Sequence, residues 1–167
     1  LGAANYGYRP AINTIVERLK QALGGQCLPR SLTPNAEGQV QCLILEARVV
    51  NEGTCETVCS GPGRNTIPQD HPAVKAAQED PLAATAGWNC FCEITQLTGT
   101  ELVACQNEEP LLAAINGWCY VDAAGQPPIG NPDIVENCPE TEKRIIRFVG
   151  DGQGAIGATL FITCSGE

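Results

Sequence analysis

GWNCFCEITQ, residues 87 to 96, puts Cys90 and Cys92 one residue apart inside a run that otherwise reads as a β-strand. On a strand, residues i and i+2 point to the same face, so the two sulfurs stand side by side with Phe91 opposite. At the usual rise per residue their Cα atoms lie about 6.5 to 7 Å apart, at or beyond the reach of a disulfide. Each is therefore expected to bond a cysteine from another element. Whether these sulfurs do chemistry or only hold the chain together governs the reading of everything around them.

The compartment is the first clue. The chain has 167 residues and ten cysteines: Cys27, Cys42, Cys55, Cys59, Cys90, Cys92, Cys105, Cys119, Cys138 and Cys164. An even, unusually dense set is what a fully paired disulfide framework requires, and such frameworks belong to oxidising compartments. A secreted, extracellular or cell-surface location is expected. Methionine is absent, even from position 1, so the stretch is expected to be the processed part of a longer precursor. The longest apolar runs, such as CLIL and TLFI, fall far short of the roughly 20 residues that span a bilayer, so no membrane span is expected. A formal charge of −9 argues against a nucleic-acid partner, which needs Lys and Arg gathered on one face. The one local basic cluster, Lys143, Arg144 and Arg147, reads as solvated strand-edge charge that discourages edge pairing, rather than as an anion site.

Along the chain, Ile12, Ile15, Val16, Leu19 and Leu23 recur at helical spacing. Pro10 suits a first turn and Gly24-Gly25 a stop, so an N-terminal amphipathic helix is expected. The texture then changes to β-type runs at 40–50, 89–97, 117–122, 144–150 and 158–164, separated by Gly, Pro and Asn. Two short helices are expected among them, HPAVKAAQED after an Asp70 N-cap and NPDIVENC after Asn131 with Pro132 in its first turn. Residues 53–69 show almost no periodicity and read as a surface excursion pinned by sulfur.

The fold class that follows is α+β: one mostly antiparallel sheet with the N-terminal helix and short helices, stapled by disulfides. It is a single domain over 1–167, with 1–25 as N-terminal segment and helix and 26–167 as the cysteine-rich region. Cys27 with Cys42 and Cys55 with Cys59 are the expected pairs, because both close short local loops.

Other chemistries fit the cysteine spacing less well. A structural zinc site commonly uses Cys-x-x-Cys knuckles. The chain offers only Cys-x-x-x-Cys and Cys-x-Cys, plus one histidine, His71, so no metal is expected. Were zinc bound, Cys55, Cys59, Cys90 and Cys92 would be its ligands. A thioredoxin-type redox site also wants Cys-x-x-Cys. GDGQGAIG has dinucleotide-site spacing but is followed by a β-run rather than a helix, so it reads as a glycine-rich hairpin loop and no cofactor is expected. A nucleophile has no base beyond His71 and no Gly-x-Ser-x-Gly elbow. Glu93, Glu108, Glu109, Asp122 and Asp133 are candidate acid/base carboxylates, but nothing in their spacing pairs them. Trp88 and Trp118 sit in Gly-Trp-x-Cys settings and are expected to pack over disulfides.

The order GGQCLPR, QCLILEARVV, GPGR, WNCFCEI, CQNEEP, NGWCYVD, NCP, RIIRFVG and TLFITC resembles the C-terminal cysteine-rich region that follows the von Willebrand factor A domain in secreted proteins of myxobacteria and related bacteria. The resemblance implies architecture and compartment rather than an activity. The helix matching NYGYRPAINTIVERLKQAL would close the A domain. That domain's Asp-x-Ser-x-Ser metal loop is missing here, so metal-dependent adhesion is not carried over.

The functional expectation is a non-catalytic secreted or cell-surface structural or interaction module, not an enzyme. It would work as a homo-oligomer or filament, with residues 1 to 8 docking on a neighbour, or through contact with the rest of its precursor. The alternatives are an extracellular glycan- or calcium-binding domain and, behind it, a carboxylate hydrolase or thiol oxidoreductase.

Overall fold

The computed structural model describes residues 14–20 and 25–165. Its strands form two antiparallel sheets rather than one. The larger contains β1 (Thr14–Lys20), β3 (Cys42–Arg48), β4 (Arg64–Asn65), β5 (Cys90–Ile94) and β8 (Thr159–Ser165), in the order β1-β8-β3-β5-β4. The smaller contains β2 (Gly25–Cys27), β6 (Gly117–Asp122) and β7 (Arg144–Val149), in the order β2-β7-β6. The disulfide-stapled α+β class expected from the sequence is present.

The division into two sheets follows from how apolar the strands are. All six residues of β6 are buried, so this sheet must be covered on both faces. The cross-strand partners Trp118↔Phe148 and Tyr120↔Ile146 present one face. They pack against Ile44, Ile94, Leu160 and Ile162 of the larger sheet to make the central core. On the outer side of the larger sheet, Leu45, Ala47, Phe91 and Phe161 receive Val74 and Ala77 of α2 (Pro72–Gln78). On the outer side of the smaller sheet, Cys119, Val121 and Val149 receive Leu102 and Cys105 of α4 (Gly99–Asn107), together with Val135 of a 3₁₀ turn. The result is four layers: helix, sheet, sheet, helix.

Several expectations need correction. Residues 14–20 are a strand, not part of an amphipathic helix; β1 pairs antiparallel with β8 from Thr14↔Ser165 to Lys20↔Thr159. The run Thr14-Ile15-Val16 is β-branched, and the outer edge of β8 offers a full ladder of hydrogen bonds, which outweighs a weak local helical preference. The remainder of that expected helix, and residues 1 to 8, lie outside the described residues. GDGQGAIG is not a hairpin loop: residues 150–158 carry the chain from β7 in one sheet to β8 in the other, with Gly150 at φ 57° and Gly154 at φ 87°. The N-cap of α2 is His71 rather than Asp70; its Nδ1 accepts from the Ala73 N–H at 3.0 Å. Asn131 does cap the turn Pro132–Val135, accepting from the Asp133 N–H at 2.9 Å. Two further helices, α1 (Cys55–Cys59) and α3 (Leu82–Ala86), along with α4, have no counterpart in the sequence reading.

Candidate functional site

All ten cysteines are bridged: Cys27–Cys138, Cys42–Cys164, Cys55–Cys90, Cys59–Cys92 and Cys105–Cys119. Full pairing is as expected, and Cys90 and Cys92 bond other elements rather than each other. The two short local pairs are not formed. Cys27 belongs to the smaller sheet, whereas Cys42 lies in the larger one directly across from Cys164.

The reason Cys55 and Cys59 do not pair is also what builds the most distinctive site in the molecule. On α1 they are four residues apart and share a face, separated by about 6 Å of helix rise. On β5, Cys90 and Cys92 share a face at about 6.6 Å of strand rise. The two spacings nearly match, so the helix docks on the strand as a two-pronged plug, with a Cα–Cα distance of 5.2 Å in each bridge. Thr54 fixes the start of the helix, its hydroxyl accepting from the Thr57 N–H at 3.1 Å.

All four sulfurs consequently lie within 4.8 Å of one another. Between bridges, Cys55 Sγ is 3.7 Å from Cys59 Sγ, and Cys90 Sγ is 3.9 Å from both Cys59 Sγ and Cys92 Sγ. Cys59, Cys90 and Cys92 are buried, Cys55 is half-buried, and Val50 and Val58 pack around them.

Beside this cluster, on the same face of the larger sheet, stands an ion pair. The register Glu46↔Cys92 and Arg48↔Cys90 places acid and base next to the sulfurs. Glu46 is wholly buried. Arg64 grips it with two bonds, Nε to Oε1 at 2.7 Å and Nη2 to Oε2 at 2.8 Å. The Ala155 N–H donates to Oε2 at 2.7 Å, and Arg48 Nη1 stands 3.6 Å from Oε1. Burial alone pushes the Glu46 carboxyl up, but these bonds and charges together hold it below its usual range. It is a fixed anion rather than a proton shuttle. Sequence reasoning missed it, although an acid inside the apolar run CLILEAR was the available signal.

The expected carboxylates do not converge. Asp122 accepts from the Tyr120 hydroxyl at 2.8 Å and from Arg144 Nε at 3.4 Å. Glu108 accepts from the Leu112 and Ala113 N–H groups. Glu109 pairs with Arg147 at 3.1 Å, and Asp133 sits in the 3₁₀ turn. Glu93 lies across from Leu45 on the outer face of the larger sheet, where burial raises its pKa.

Arg144 and Arg147 are not solvated edge charge, because they lie on β7, the middle strand of its sheet. Lys143 donates to Glu136 O at 2.9 Å, and Arg144 reaches Leu28 O and Pro29 O. Arg147 donates to Cys105 O at 2.6 Å and Glu108 O at 2.8 Å. Lys143 thus ties one turn to another, and the two arginines tie loops to the sheet. Arg147 also borders a cleft of about 490 Å³ lined by the Cys27–Cys138 bridge, Glu109 and Leu111. Trp118 donates from Nε1 to Ile94 O at 3.0 Å in the core cluster that includes Cys42 and Cys164, whereas Trp88 stands edge-on to Phe161 at 5.6 Å.

No family model, curated protein or solved structure matches the chain. Among the described residues no helix is long and apolar enough to cross a membrane, and five disulfides fit an oxidising compartment.

Proposed function

We propose that the chain is a non-catalytic secreted or cell-surface structural or interaction module that acts by contact with copies of itself or with the remainder of its precursor. The observation that supports it most is β1. Among the described residues this seven-residue strand is paired only on its β8 side, so the backbone groups of its other edge are available for strand addition. A second support is that the strongest chemical groups are occupied internally: Glu46 by Arg64, Asp122 by Tyr120 and Arg144, Arg147 by carbonyls, and every cysteine by another. The resemblance to the region following von Willebrand factor A domains implies the same compartment.

Sedimentation tests the proposal. The full chain is expected to self-associate at high micromolar concentration, with Arg18→Pro in β1 and deletion of residues 1 to 8 each weakening the assembly. A full chain that is monomeric there, or an assembly indifferent to both changes, overturns it. Peptide mapping of the five bridges confirms that the variants keep the fold.

A further inference from the structure

We infer that the Cys55, Cys59, Cys90 and Cys92 sulfurs form a second chemical state of the molecule: a tetrathiolate zinc site assembled when their two bridges are reduced. A zinc ion held by four thiolates at about 2.3 Å from each has sulfurs about 3.8 Å apart along every edge of its tetrahedron. Three contacts between the bridges already have that length, at 3.7, 3.9 and 3.9 Å, and no pair of the four exceeds 4.8 Å. Opening the two bonded pairs to the same separation requires side-chain rotation, while α1 and β5 keep their places. Helix spacing on one side and strand spacing on the other thus supply what two Cys-x-x-Cys knuckles supply elsewhere.

The surroundings suit the ion. Three of the four sulfurs are buried, which excludes competing water. Four thiolates and one divalent cation leave two negative charges. Arg48, opposite Cys90 on the same face, carries a buried Nε with no hydrogen-bond partner among the described residues.

The reduction has a defined entry and a closed balance. Cys55 is the only half-buried sulfur of the set, so a dithiol attacks there. The Cys55–Cys90 bond breaks, Cys90 leaves as thiolate, and the second thiol of the reductant displaces Cys55. The Cys90 thiolate, 3.9 Å from Cys59, then attacks that sulfur and releases Cys92. The freed Cys55 thiolate, 3.7 Å from Cys59, attacks that sulfur in turn and releases Cys90, and a second dithiol reduces the resulting Cys55–Cys59 bond at the half-buried Cys55. Two dithiols become two disulfides, four electrons enter the protein, and four thiols lose four protons as zinc binds.

The experiment uses the whole chain, titrated without oxygen with a water-soluble phosphine in the presence of one equivalent of zinc ion. Zinc is then measured after gel filtration, and alkylation with mass mapping identifies the shielded cysteines. One zinc per chain is expected, with four-sulfur coordination in its X-ray absorption and with Cys55, Cys59, Cys90 and Cys92 shielded. Cys105→Ser/Cys119→Ser should retain the metal and Cys59→Ser/Cys92→Ser should lose it. If the unaltered protein retains no zinc at any point of the titration, or shields a different set of cysteines, the inference is overturned, and neither result depends on how the variants fold. Because this is independent of self-association, its failure leaves the contact proposal intact.

Discussion

One face of one sheet is built in two ways. At Ile44 of β3 it is an ordinary apolar core, closed by Trp118 and Phe148 from the sheet opposite. Two residues further along the same strand, Glu46 faces Arg64, and two more bring Arg48 level with Cys90. There the cover is α1, a five-residue helix. A helix this short cannot persist alone and buries too little apolar surface to dock by itself. The difference teaches where covalent bonds enter a fold: sulfur and a buried ion pair take over where the opposing sheet stops.

The comparison can be broken most forcefully at the sulfur end. Replacing Cys55, Cys59, Cys90 and Cys92 together by Ala should lower the unfolding free energy by about 6 kcal/mol, measured by urea denaturation. The first bridge closes a loop of about 35 residues, and the second a small ring adjoining it through residues 55–59 and 90–92. At the apolar end, Trp118→Ala should cost about 3–5 kcal/mol through lost burial and a cavity. That loss should be independent of reductant, whereas the sulfur end's contribution disappears with it.

Between the two ends, Glu46→Gln should cost about 3 kcal/mol by leaving the Arg64 guanidinium, 9% exposed, without its counter-charge. Because the folded carboxyl lies below its ordinary value of 4.5, the stability it provides is present above that pH and is lost as pH falls through the folded value. The wild type should therefore weaken on acidification through this range, and the Gln variant should show a flatter curve in pH-dependent denaturation. The smallest effect sharpens the picture: removing Cys59 and Cys92 alone should cost about 2 kcal/mol, because Cys55–Cys90 still closes the long loop. A cost near that of removing both bridges would mean that α1 needs two anchors to stay docked.

The strands were legible because their apolar runs are dense and their boundaries are marked by Gly, Pro and Asn. The expected 117–122 run matches β6, and 40–50 contains β3. The misreadings are tertiary in origin. Residues 14–20 carry helical spacing but find an open strand edge. α1 carries no periodicity and exists because Thr54 caps it and two sulfurs hold it down. The orientation of Cys90 and Cys92 was legible from strand geometry alone. Their partners were not, since the spacing match between a helix and a strand appears only once the helix is known. Nor does local sequence show that Glu46 meets Arg64, eighteen residues away.

The Cys27–Cys138 and Cys42–Cys164 bridges overlap along the chain, and between them they span every peptide bond from residue 27 to residue 164. A single protease cut anywhere in that interval therefore leaves one covalent molecule rather than two. The stretch least protected in this sense is 60–89, which has no cysteine of its own and carries α2. Two cuts there would free the helical cover from the outer face of the larger sheet, uncovering Leu45, Ala47 and Phe91 while the flanking pieces of chain stay joined by the bridges.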